Sequence, residues 1–195
     1  MSLGRPRAFN ADQALDRALT LFWRRGYEGA SLSDLTQAMG INRPSLYAAF
    51  GNKEALFRKA LDRYMARPAA DLQRAVEAPE ARLVAERFLA DAVERLTDPA
   101  NPPGCLAVHG ALACGAEGDP IRQELVVRRQ GTEAALRERF ARARVEGDLA
   151  PGVDPAGLAR YLAALTQGMA VQAAGGASRD ELRQVAETAL AALRV

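Results

Sequence analysis

Residue 40 is a glycine with a capped, amphipathic stretch on either side, and this arrangement restricts the fold more than any other part of the 195-residue chain. Upstream, Ser31 with Asp34 three residues on has the form of a capping box, and Leu32, Leu35 and Met39 share one helical face. Gly40 supplies a turn that a Cβ-bearing residue resists, after which Asn42 caps a second short helix with Pro44 in its first turn. Leu46 and Phe50, four apart, point inward and leave Arg43, Ser45, Tyr47 and Ala48 on the outer side. The spacing predicts helices over about 32–39 and 43–50. Together they form a helix-turn-helix whose outer face is where a DNA groove would be met.

The remaining periodicity is also helical. A helix runs from an Asn10 cap to about Arg25, where Gly26 is a stop, and buttresses the motif. Asn52 caps a fourth helix through Leu56, Phe57, Ala60, Leu61 and Tyr64, which Pro68 kinks or interrupts. Apolar spacing resumes from Pro79 to Leu96 and ends in the breaker-rich segment 97–104. A short helix over Cys105 to about Ala116 follows, then a long one from Asp119 to about Glu146, then two over about 154–174 and 178–194. Ala, Leu, Arg and Glu are abundant, β-branched and aromatic residues are sparse, and no long stretch alternates with period two. The expected fold is all-α: a three-helix bundle with a basic arm over residues 1–52, then a larger helical domain over 53–195.

Charge separates the two parts. Residues 1–65 carry 10 Lys/Arg against 6 Asp/Glu, whereas 66–195 carry 16 against 18, so a net +2 conceals a basic motif end. That asymmetry suits phosphate contact and argues against a uniformly basic coat for nucleic acid. With no run of 18 apolar residues and no signal-peptide core, the chain is expected to be soluble and cytoplasmic, with no membrane partner. It has one His, no Gly-rich phosphate loop, no Gly-x-Ser-x-Gly elbow and no paired carboxylates on a defined scaffold, so no enzyme and no cofactor is expected. Two cysteines, Cys105 and Cys114, make no disulfide framework.

The string Gly40-Ile41-Asn42, then Leu46-Tyr47, Phe50 and Asn52-Lys53-Glu54-Ala55-Leu56-Phe57 resembles the DNA-binding signature of TetR-family transcriptional regulators over about residues 8–60. It departs in two places. Asn42 stands where Ser or Thr is frequent, which keeps a capping side chain; Ala49 stands where His or Tyr often precedes the Phe, which removes one phosphate contact. The resemblance implies a homodimer on a near-palindromic double-stranded operator, each recognition helix in a major groove. Arg43 then reads bases or grips phosphate, while Pro44, Ser45 and Ala48 lie at the groove. Tyr47, Ser31 and Lys53 hold phosphates, although Tyr47 is also readable as half-buried packing with its hydroxyl exposed. Arg5 and Arg7, in the arm Gly4-Arg5-Pro6-Arg7, either enter an adjacent minor groove or form a solvated tail.

In the larger domain the resemblance implies a pocket for a small-molecule effector that changes the spacing of the recognition helices and releases DNA. Candidate wall residues are Phe88, Leu89, Ala92, Cys105, His109, Val126, Gln130, Tyr161, Leu165 and Met169, each also readable as core. The last two helices are apolar around much of their girth, which implies cover from more than one neighbour. Leu158, Leu162, Leu182, Val185, Ala189 and Leu193 are therefore either core or, as the resemblance favours, a four-helix dimer interface. Cys105 and His109 share a helical face, but two ligands do not make a metal site, and none is expected. Cys105, at a helix start where thiolates are favoured, offers a redox- or electrophile-responsive alternative beside inert burial. A rival class is a helical protein-interaction module. Repressor and activator share the same docking chemistry.

Overall fold

A computed structural model describes residues 9–112 and 118–193, so Arg5, Arg7 and Cys114 lie outside the described residues. Among the described residues there are helices and no strand: α1 (Ala11–Gly29), α2 (Leu32–Met39), α3 (Arg43–Phe50), α4 (Lys53–Val76), α5 (Ala81–Leu96), α6 (Leu106–Leu112), α7 (Asp119–Glu146), α8 (Pro155–Ala174) and α9 (Arg179–Ala192). None is long and apolar enough to cross a membrane.

Local chemistry sets most helix ends. Asn10, Asn42 and Asn52 accept from the backbone N–H groups of Gln13, Ser45 and Ala55 at 3.1, 2.9 and 2.8 Å, capping α1, α3 and α4. The Ser31 backbone N–H donates to Asp34 Oδ2 while Asp34 N–H donates to Ser31 Oγ, both at 3.1 Å, completing the capping box of α2. Gly26, the expected stop, is a break in the winding of α1 at φ 72°, ψ 179°, after which a last turn runs to Gly29.

Pro68 neither ends nor interrupts α4, which continues to Val76. Proline forfeits one backbone hydrogen bond, but the following turn is fixed from outside the helix. Asp71 is buried and accepts from Arg74 at 2.7 Å and from Arg95 of α5 at 2.9 Å, and Arg67 reaches Asp98 at 2.8 Å. Cys105 stands just before α6 rather than in it.

Two hydrophobic cores result. The first gathers Phe22, Leu35, Leu46, Leu56, Phe57 and Leu61, with Leu106 from α6 and Ile121 and Leu125 from α7. Its aromatic rings interlock edge-on, with Phe22 on Phe57 at 5.0 Å between centroids and Trp23 on Tyr64 at 4.7 Å. The second is built by α5, α7, α8, α9 and the end of α4 around Leu89, Leu136, Phe140, Leu162 and Leu182. Of the residues read from sequence as either core or dimer interface, Leu158, Leu162, Leu182 and Ala189 lie inside this core, and Leu193 packs at its edge. The outward faces carry Tyr161, Val171 and Val185. A helix with apolar residues all round does not reveal in sequence which side turns inward.

Arg139 of α7, 4% exposed, staples the corner between α4 and α5. It donates to the Ala78 and Pro79 carbonyls at 2.9 and 3.0 Å, while Asp148, just beyond α7, accepts from the Ala81 backbone N–H at 2.6 Å. Arg139→Met keeps the stem's packing but leaves those carbonyls without donors. It should lower unfolding free energy by about 2–4 kcal/mol in denaturant melts; an unchanged midpoint would show that the staple is idle.

The cap of α2 generates a pH-dependent prediction. Hydrogen bonds from the Ser31 hydroxyl and backbone hold the Asp34 carboxyl below its usual value. That stabilisation is fully present above the unfolded carboxylate range and is lost as pH falls through the lower folded value. Ser31→Ala should therefore be less stable than the parent at neutral pH, with the gap narrowing on acidification through that range. A gap independent of pH in thermal melts contradicts the assignment.

Candidate nucleic-acid interface and cavity

The helix-turn-helix is assembled from α2 and α3 against α1 and α4. Leu35 and Leu46 are wholly buried and Met39 and Phe50 nearly so, which fixes both helices by one face each. Gly40 has φ 69°, and a Cβ there would lie 3.3 Å from Arg17 Nη1. The Lys59 ammonium donates to the Ala49 carbonyl at 3.3 Å, tying the end of α3 to α4. Arg25 pairs with Asp34 at 3.2 Å and ties α1 to α2.

This leaves Arg43, Pro44, Tyr47 and Ala48 exposed on one side of α3, with Ser45 half-buried among them. Tyr47 is 49% exposed, so its ring and not only its hydroxyl reaches the surface. Ser31 and Lys53 are more engaged than their sequence positions convey. The Ser31 hydroxyl donates to Asp34 at 2.6 Å, and the Lys53 ammonium sits 4.5 Å above the Tyr27 ring. Partial burial lowers the Lys53 pKa from its ordinary value. Sequence reasoning passed over Arg17, whose exposed guanidinium stands over the Gly40 turn. It belongs to α1, far upstream of the motif, and only the folding of α1 across α2 brings it there.

A half-open cavity lies between α4, α5, α6, α7 and α8, with roughly 680 Å³ of empty space including its mouth. Of the wall residues inferred from sequence, Phe88 and Cys105 line it. Leu89, Ala92 and Met169 are instead buried in the second core and Leu165 packs against it; Val126 is half-buried away from the cavity, and Gln130 and Tyr161 face outward. His109 lies under Gly104, where an added Cβ would come within 2.5 Å of its ring, and burial lowers its pKa. The observed wall uses Tyr64, Met65, Pro68 and Leu72 along one face of α4, Arg128, Arg129 and Thr132 on α7, and Ala163, Thr166 and Gln167 on α8. Reading α4 as interrupted at Pro68 hid the first set. On α7 and α8 the chosen residues lie one or two positions from the nearest wall residue, which turns a side chain by about 100° or 200° on a helix with 3.6 residues per turn.

Cys105 marks where cavity and bundle meet. The Tyr64 hydroxyl donates to Cys105 Sγ at 3.1 Å, and the Tyr64 ring stands edge-on to Trp23 of α1. Burial, followed by the neighbouring Cys105, pushes the Tyr64 phenol well above its usual pKa, so it remains a protonated donor. A wall residue of the cavity is thereby in contact with the core of the bundle.

Comparison with known proteins agrees with this arrangement. Residues 14–60 match the profile of bacterial regulatory proteins of the tetR family, and residues 79–190 match that of the tetracyclin repressor-like C-terminal domain. The HTH-type transcriptional repressor ComR of Escherichia coli K12 is 37% identical over 97% of this chain and 91% of its own length. The HTH-type transcriptional regulator YezE of Bacillus subtilis is 30% identical over 98% of this chain and 100% of its own. Among solved structures, a cysteine-substituted form of the TetR-family regulator CifR, complexed with 26-base-pair operator DNA, superposes with a TM-score of 0.91 at 43% identity, covering 97% of this chain and 100% of that one. With both halves matched and full-length relatives on either side of the comparison, the chain belongs to the TetR family of bacterial transcriptional regulators.

Proposed function

We propose that this chain acts as a dimeric repressor, one DNA-binding unit per protomer over about residues 1–52 and an effector-binding and dimerising unit over 53–195. The observation that carries the reading is the outer side of α3, where Arg43, Pro44, Tyr47 and Ala48 stand clear of a helix pinned by buried Leu46 and Phe50. The relative ComR is a repressor by name, and the CifR structure holds operator DNA. Arg43 supplies a planar fork suited to guanine or phosphate. Tyr47, Lys53 and Ser31 lie along the edge for backbone contact, Arg17 adds a cation over the turn, and Arg5 and Arg7 extend the contact into a minor groove. Two such units on a two-fold axis read a near-palindrome. Tyr161, Val171 and Val185, apolar and exposed on α8 and α9, supply the pairing face, with the inward Leu158, Leu162, Leu182 and Ala189 as its support.

Footprinting on the DNA flanking the coding region tests this directly, with protection of a two-fold site as the expected result. Arg43→Ala should weaken binding about 10- to 100-fold and relax specificity at one position of each half-site. Replacing Arg5 and Arg7 together with Ala should weaken binding on all sequences and flatten its salt dependence by about two counterions per protomer; unchanged binding would remove the arm from the interface.

A second reading concerns the trigger. Cys105 lines the cavity and accepts from Tyr64, which touches Trp23, so oxidation or alkylation of this thiol would displace a residue packed into the bundle. Cys105→Ser should then still bind operator yet no longer release it on treatment with peroxide or N-ethylmaleimide. Full release by the serine variant excludes a thiol trigger at this position.

A further inference from the structure

The walls of the cavity are unbalanced in charge. Among the described residues Arg95, Arg128 and Arg129 line it, and no Asp or Glu does. Two of these arginines are already neutralised from behind the wall: Arg95 by Asp71 at 2.9 Å, and Arg128 by Asp62 and Glu124. Arg129 is different. It is half-buried, its Nη1 donates to the Ala107 carbonyl at 2.6 Å, and among the described residues it pairs with no carboxylate. One nitrogen is thus spent on orienting the guanidinium, and the rest of the fork remains available. The same wall holds the neutral polar groups of Thr132 and Gln167, whereas Met65, Leu72, Phe88 and Leu96 make the remainder apolar.

From this imbalance we propose that the cavity takes an amphipathic organic monoanion, a monocarboxylate bearing an apolar chain or ring, with its carboxylate on Arg129. The inference rests on the effector reading above and names the ligand's chemistry. A partly buried cation without a counter-ion keeps an unmet demand for negative charge, and a ligand carboxylate meets it in a bidentate geometry that a neutral group cannot offer. The count of uncompensated charge favours a monoanion over a phosphate dianion, because the other two guanidinium groups have their carboxylates. The apolar wall along α4 and α5 then takes the tail, and a tail pressed on Met65 and Leu72 bears on the helix that also carries Tyr64.

Octanoate, octan-1-ol and octylamine, of equal chain length and differing in head-group charge, form the probe set, read by calorimetry on the full chain. Octanoate should bind at least about 10-fold more tightly than octan-1-ol, the range expected of a hydrogen bond to a charged group, and octylamine most weakly. Arg129→Gln, which removes the charge and keeps a polar side chain, should erase the preference for octanoate and leave octan-1-ol unchanged. Arg129→Lys, which keeps the charge, should retain a preference for octanoate. Equal binding of acid and alcohol, or a preference surviving in Arg129→Gln, overturns the proposal. Operator binding by the ligand-free chain is measured in parallel. If octanoate binds through Arg129 but leaves the operator complex intact, the anion site stands and the effector reading falls. If N-ethylmaleimide releases operator while octanoate does not bind, the anion site falls and the regulator reading stands.

Discussion

Helix α4 belongs to both cores, and the rest of the molecule depends on that sharing. Its first three turns pack Leu56, Phe57, Ala60 and Leu61 among the aromatic rings of the N-terminal bundle, while Ala75 near its far end is buried in the other core. Between these it offers Tyr64, Met65, Pro68 and Leu72 to the cavity. Its start follows α3 after two residues, and Lys59 bonds the last turn of α3 from the side. The position of α3 is therefore set by α4. From Tyr64 back to Lys53 the helix spans about 16 Å, so a tilt of about 5° at the cavity moves the start of α4 by about 1.4 Å. In the proposed dimer, two protomers would double the change in separation, a mismatch that rigid major-groove docking would not absorb.

The charged residues divide along the same line. At the junction most arginines are committed: Arg63 to Asp12 and Asp16, Arg58 to Glu54 and Glu124, Arg95 and Arg74 to the buried Asp71. These pairs hold α4 to α1, α5 and α7, and the exposed ones contribute little stability individually. Their worth is geometric, since a shift of α4 strains several of them together. Arg17 and Arg43 at the bundle surface and Arg129 in the cavity, by contrast, have no carboxylate partner among the described residues. Arg17 and Arg43 thus stand free for an anion at the surface of the bundle, and Arg129 does so in the cavity wall.

What could be read from sequence followed the range of the interaction. Helix ends were legible because caps are local: Asn42 with Ser45, Ser31 with Asp34 and Ser178 with Glu181 each act across three residues. The outward side of α3 was legible for the same reason, since Leu46 and Phe50 fix its rotation unaided. The cavity was not. Its wall depends on how five helices are rotated against one another, and α8 is apolar on both sides, so Leu162 looked like an interface residue and Ala163 like nothing in particular. Pro68 misled because its support comes from Arg95 and Asp98, distant in sequence. Arg139 could not have been assigned at all, because the carbonyls it serves lie 60 and 61 residues away.

Tyr64 joins the bundle, the cavity wall and Cys105. Its ring is committed to Trp23, its hydroxyl to Cys105 and its helix to the position of α3. An occupant of the cavity would push on the same helix at Met65, beside Tyr64, and at Pro68, one turn on, while chemistry at Cys105 would displace the sulfur that holds the hydroxyl. Both routes act on one side chain that is 6% exposed and has little room to relax sideways. The cheapest response open to a packed ring is to move with its helix. In the proposed regulator a small-molecule signal and a thiol signal would need no separate machinery, because the packing around Tyr64 would couple either one to α4.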